Sequence, residues 1–163
     1  MDNLLVLNYP DFLIGQAASG YRFLKFAAYG NKNLSNSIDK NWKKMSVYHS
    51  TFSLGKGKIY NSFLNDEFIY SYDISNKYLE LFKKALSVMI NTLYASGAKN
   101  VYFIGKNISL VESNKLENFL NNIKHVKEFK YSSVHILGGV KMGEEKNCLV
   151  DSYGKIKNYD NIY

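Results

Sequence analysis

The spacing of apolar residues changes several times along the chain, and each change predicts a different element. "NLLVL" at 3–7 is an unbroken apolar run stopped by Asn8 and Pro10, which predicts a short strand. "DFLIGQAASGYRFLKFAAYG", from Asp11 to Gly30, mixes apolar residues with Gly15, Gly20 and Gly30. It predicts a strand, a loop and a short helix. "NKNLSNSIDKN" at 31–41 is polar and reads as a loop. "VYHSTFSL" at 47–54 alternates weakly, as a strand does, and Gly55 and Gly57 then predict a hairpin turn into "KIY".

The strongest signal lies in the middle. Tyr78, Phe82, Ala85, Leu86, Met89 and Leu93 recur at helical spacing and form one apolar stripe. Asp73 or Ser75 can cap this helix, and Gly97 can stop it. "NVYFIG" follows and predicts a buried strand. A second helix carries Leu116, Phe119, Leu120 and Ile123 on one side, with Asn114 and Glu117 at capping-box spacing. "YSSVHIL" reads as a short strand or an extended entry, and "CLVDSYGKIKNYDNIY" as two extended pieces around a turn at Ser152–Gly154. Strands first, then a long helix, a strand, a helix and an extended tail define an α+β class.

Length and composition fit this reading. A chain of 163 residues, 46% apolar and 21% charged, can bury a core of its own. The 14 Tyr and 10 Phe need hydroxyl partners or water at many rings, which suggests an interface or a mixed polar cavity. The net charge of +7 raises nucleic acid as a partner. Against it, Arg22 is the only arginine, and the lysines fall along the sequence as singles and doublets such as Lys43-Lys44 and Lys83-Lys84. Bidentate phosphate and guanine contacts favour Arg, so a solvated Lys-rich surface is expected and nucleic acid is not. A single cysteine, Cys148, precludes an intramolecular disulfide and fits a reducing compartment. No apolar run reaches the ~20 residues of a membrane span. "MDNLLVLNYPDF" lacks the basic start of a signal peptide, so a cytoplasmic location is expected.

Candidate chemistry is sparse. His49, His125 and His135 have no metal-ligand spacing, and no metal site is expected. No G-x-S-x-G elbow occurs, and "GQAASG" lacks the spacing of a dinucleotide turn. His49 lies in a predicted strand and reads as structural. His125 follows the second helix, where a cation would suit the helix dipole. His135 differs because Gly138 and Gly139 follow it, and a backbone without Cβ atoms can pass close to another group. Met142-Gly143 then turns the chain.

"HILGGVKMG" from His135, then Asn147, "LVD", Gly154-Lys155-Ile156 and "YDNIY" resemble the C-terminal signature of the glucose–methanol–choline (GMC) oxidoreductases. That signature reads roughly H-x-x-G-T-x-x-M-G, an Asn- or Ser-containing turn, V-V-D, G-x-V and a D/E-N-L-Y/R run. Gly139 stands where many members have Thr. "YPDFLIG", "GKGKIY" and the 70–103 stretch resemble parts of the family's substrate domain more loosely.

The resemblance implies a GMC-type substrate domain over 1–130, a mixed or antiparallel sheet flanked by helices. It implies that 131–163 is the segment returning to the FAD domain. It further implies oxidation of an alcohol or sugar CH–OH group to a carbonyl, with hydride passing to FAD. His135 would be the catalytic base, and Gly138, Gly139 and Met142 would line the flavin-side turn. Neutral imidazole suits the role of a base near pH 7. The family's Gly-rich FAD fingerprint and the segment beyond "NIY" are missing, so the chain is expected to be a partial enzyme that binds FAD poorly by itself. The alternatives are a non-catalytic remnant, a subunit completed by a separate FAD-binding chain, or a basic module for nucleic acid or an acidic polymer.

Overall fold

The structure is a computed structural model, and it describes residues 7–54, 56–61, 68–132 and 140–162. The chain divides into two compact units, Met1–Lys130 and Tyr131–Tyr163. The first is α+β, with four α-helices and three small antiparallel sheets among its described residues. The mixed or antiparallel sheet flanked by helices that the family resemblance implies is present in its coarse form, as three small antiparallel sheets with helices.

Strands β1 (Leu7–Asn8), β2 (Leu13–Gln16) and β3 (Tyr48–Thr51) make the first sheet, in that order. Pro10 lies in the turn between β1 and β2, where Tyr9 N–H donates to the Phe12 carbonyl at 2.9 Å. Its missing N–H costs nothing there. Helix α1 (Tyr21–Ala27) follows as the apolar spacing predicts.

Helix α2 (Lys32–Asn41) overturns the loop expected at 31–41. Asn31 caps it by accepting from Leu34 N–H at 2.9 Å, and Leu34 and Ile38, one turn apart, are buried. Two apolar residues suffice because α1 supplies the other half of the cluster, Leu24 and Ala28. Trp42, Met45 and Val47 close it.

The expected hairpin at Gly55 and Gly57 is also corrected. Gly57 lies inside strand β4 (Lys56–Asn61), opposite Tyr72 of β5 (Phe68–Asp73). Gly57 thus joins a strand instead of turning it, and Gly55 lies outside the described residues. Ile59, Tyr60, Ile69 and Tyr72 of this two-stranded ribbon are exposed.

Ser75 begins a 3-10 turn (Asn76–Tyr78) that leads into α3 (Leu79–Ala95). Phe82, Ala85, Leu86 and Ile90 form its buried face, so the predicted stripe is present but centred on Ile90 more than Met89. Gly97 ends it with φ +91°, while Gly97 N–H and Ala98 N–H donate to the Tyr94 and Leu93 carbonyls, both at 3.0 Å. A left-handed residue here leaves glycine the least strained choice.

Strand β6 (Val101–Ile104) pairs with β7 (Ile108–Val111). Only Val101 of β6 is fully buried. Helix α4 (Leu116–Asn122) forms, but the Asn114/Glu117 capping box does not. Lys115 stands at its N-cap, without a side-chain bond. The reciprocal cap sits one element later, at His125 and Glu128 around the 3-10 turn Val126–Glu128.

The core of the first unit is assembled on α3, whose residues enter three of its four apolar clusters. A relay of rings threads it: Phe52 stacks on Phe82 at 4.5 Å, Phe82 meets Phe129 at 5.1 Å, and Phe129 meets Phe103 at 5.4 Å. Tyrosines largely stay outside. Tyr21, Tyr29, Tyr60, Tyr72, Tyr131, Tyr153 and Tyr159 are exposed, and no polar residue is buried among the described ones. These seven rings therefore lie at the surface.

Candidate functional site

The second unit carries the sequence-derived candidates. Met142 forms a parallel bridge with Val150, and Val150 an antiparallel bridge with Ile156. Gly143 N–H donates to the Val150 carbonyl at 2.9 Å. Gly143 has φ +138°, a backbone conformation that favours glycine. The predicted turn is present. Asp151 Oδ1 accepts from Tyr153 N–H at 2.8 Å and Lys155 N–H at 3.0 Å, and Gly154 has φ +89°. This is the Asx geometry that favours Asp before a glycine turn.

Glu144 braces the same turn by accepting from Ser152 N–H at 2.9 Å. Hydrogen bonds from the Ser152 side chain and backbone hold its carboxyl below the usual range. Lys141 pairs with Glu145 and donates to Asn147 Oδ1 at 3.0 Å. Cys148 is the single buried residue among those described in this unit.

Of the four candidate residues, Met142 is described: its side chain is 58% exposed at the bridge. His135, Gly138 and Gly139 lie outside the described residues. The other two histidines are placed in the first unit. His49 sits in β3 opposite Gly15, and is exposed. His125 stands at the N-cap of the 3-10 turn that follows α4. Its Nδ1 accepts from Lys127 N–H at 3.1 Å, while Glu128 Oε1 accepts from His125 N–H at 2.9 Å. Among the described residues no group of three or more His, Cys, Asp or Glu could hold a metal ion, and no helix is long and apolar enough to cross a membrane.

A second constellation, missed in the sequence, joins α1 to α2. The Tyr21 hydroxyl donates to Asp39 Oδ1 at 2.6 Å, and Lys25 Nζ lies 2.9 and 3.1 Å from the two Asp39 oxygens. The Tyr21 bond, then Lys25, holds the Asp39 carboxyl below its ordinary range. The same bond raises the Tyr21 phenol, because ionising it would forfeit the donor. Beside this pair, Lys25, Tyr29, Gly30, Asn31, Lys32 and Ser35 border an open recess of about 420 Å³. Leu34 and Ile38 at i, i+4 behind a capping Asn31 were the available sequence signal.

No family model matches the chain, and no match was found among curated proteins or solved structures.

Proposed function

We propose that the chain serves an FAD-dependent oxidation of a CH–OH group in an alcohol or sugar, through the segment that starts at His135. The observation that carries this reading is the residue order from His135 through Gly138-Gly139, Met142-Gly143, Asn147, Leu149-Val150-Asp151 and Gly154-Lys155-Ile156 to Tyr163. It rests on that order alone.

FAD, when bound, supplies the hydride acceptor. His135 takes the hydroxyl proton onto its imidazole, which lets alkoxide character develop at the reacting carbon. Gly138 and Gly139 keep the backbone free of Cβ atoms where it would approach the cofactor. Met142, exposed, is available to a further surface. The sequence holds no G-x-G-x-x-G fingerprint, so the phosphates of FAD would be held by another chain or segment.

A subunit that works only with a separate FAD-binding chain is the second reading, and one observation favours it. Val140, Met142, Leu149, Tyr153 and Tyr159 of the second unit are exposed, while Cys148 alone among its described residues is buried. So small a unit with so little core is suited to being covered by a partner.

The test is incubation of the full chain with FAD and with any FAD-binding chain that its neighbouring reading frames encode. Alcohol- or sugar-dependent reduction of the flavin band near about 450 nm is expected. His135→Ala should lower turnover roughly 10²–10⁴-fold with flavin retained. Equal turnover of His135→Ala removes the base assignment. No flavin reduction across primary alcohols, secondary alcohols and sugars removes the oxidoreductase reading. The chain by itself should show no stoichiometric flavin spectrum.

A further inference from the structure

The chain's excess of positive charge is concentrated in one segment. Residues Gly20–Val47 carry Arg22, Lys25, Lys32, Lys40, Lys43 and Lys44 against one acid, Asp39, and so hold +5 of the chain's +7. This segment is the α1–α2 hairpin with its following 3-10 turn, Trp42–Lys44.

The two helices present opposite characters to solvent. α2 buries Leu34 and Ile38 and turns Lys32, Asn33, Asn36 and Lys40 outward, as a surface helix normally does. α1 buries Leu24, with Ala28 just beyond it, yet Arg22, Phe23 and Phe26 within it and Tyr29 two residues past its end are exposed. Phe26 is 69% exposed and Tyr29 85%. Cations accompany the rings of this hairpin. Lys43 lies over the Trp42 ring, which meets Tyr21 edge-on at 6.3 Å. Lys32 follows Tyr29 around the recess, and Lys130 Nζ lies 5.8 Å from the centre of the Phe26 ring. The one acid is already occupied by Tyr21 and Lys25.

We infer that this face docks on an anionic lipid surface, with Phe26 and its neighbours entering the headgroup boundary and the surrounding Arg and Lys facing lipid phosphates. Charge complementarity commits the face to that occupant. Aromatic residues suit the boundary between headgroup and chain, and each Lys or Arg near an anionic leaflet adds attraction that salt weakens. Nucleic acid fits less well. Single strands are held in a charged groove with stacking rings, whereas Phe23 and Phe26 project from the outer side of a helix. This inference does not depend on the reading of the His135 segment.

The test is co-sedimentation of the full chain with phosphatidylcholine vesicles containing about 30% phosphatidylserine, beside vesicles of phosphatidylcholine alone. Binding is expected to the anionic vesicles, falling roughly tenfold or more as salt rises from about 0.1 to 0.5 M. Phe26→Ser with Tyr29→Ser should reduce binding roughly tenfold, with circular dichroism and Trp42 emission unchanged. Arg22→Glu with Lys43→Glu and Lys44→Glu should abolish it, and supplies the test if the first variant misfolds. Ile59→Ser with Ile69→Ser, on the ribbon, should leave binding intact. Absence of binding to the anionic vesicles at low salt, or equal binding by the α1 variants, overturns the inference. Binding to a poly(dT) oligonucleotide in place of vesicles, lost in the charge variant, overturns it in favour of nucleic acid.

Discussion

Asp39 is held by two donors from the neighbouring helix, and its protonation state therefore governs a local contact. The Tyr21 hydroxyl and Lys25 both depend on the carboxylate. A carboxyl whose folded value lies below its unfolded value of about 3.9 adds stability above that pH and loses it as pH falls through the folded value. The Tyr21 phenol shifts upward, so its contribution is present below about pH 10 and fades as pH rises further. The contact should be tightest between these limits. Trp42, the single tryptophan, packs edge-on against Tyr21 and reports on it. Acidification from about pH 5 to pH 2 is expected to change its emission in the wild type, with the change absent in Asp39→Asn. An acid transition of equal size in that variant would refute the assignment. Both side chains face solvent, so a local loosening is expected, not unfolding.

At the scale of elements, α2 is the informative case. If residues 31–41 were a surface loop, substitutions there would change stability by roughly 0.5 kcal/mol or less. As a packed helix, Ile38→Ala should cost about 2–4 kcal/mol in urea unfolding, and Asn31→Ala about 1 kcal/mol. Costs near zero for both would return the segment to a loop. The reason this helix was illegible is physical. Asn and Ser compete for backbone hydrogen bonds and lower helix propensity, and four Asn with two Ser dominate 31–41. Packing of Leu34 and Ile38 on α1 outweighs that preference. α3 was legible because 17 residues repeat the apolar spacing and a glycine ends it. The box at Asn114 and Glu117 had the right spacing but the wrong place, since the helix starts at Leu116. Strand β7 gave too little pattern, four residues between polar ones, to stand out from a loop. Of the candidate site, the Ser152–Gly154 turn was readable because its glycine acts locally, while the bracing by Asp151 was not read. The α1–α2 constellation was not, because Tyr21 and Asp39 are brought together by the fold across 18 positions.

The whole molecule has two units of unequal build. The first assembles its core on α3, while the second buries Cys148 and little else among its described residues. Each unit holds a unique reporter: Trp42 in the first and Cys148 in the second. Cys148 should react with a thiol reagent at lower urea concentration than the midpoint of the Trp42 emission change. Coincident transitions would show that the units unfold together.

The β4–β5 ribbon has a consequence for the molecule in company. Among the described residues these strands pair only with each other, and no other described strand covers the outer row of N–H and C=O groups on either. Such rows are templates for strand addition, and Ile59, Tyr60, Ile69 and Tyr72 would make the added contact sticky. Lys58 in β4 acts as a gatekeeper, because stacking copies side by side would bring like charges together. A ribbon that no other described strand covers is thus also where crowded copies of the chain would first meet edge to edge.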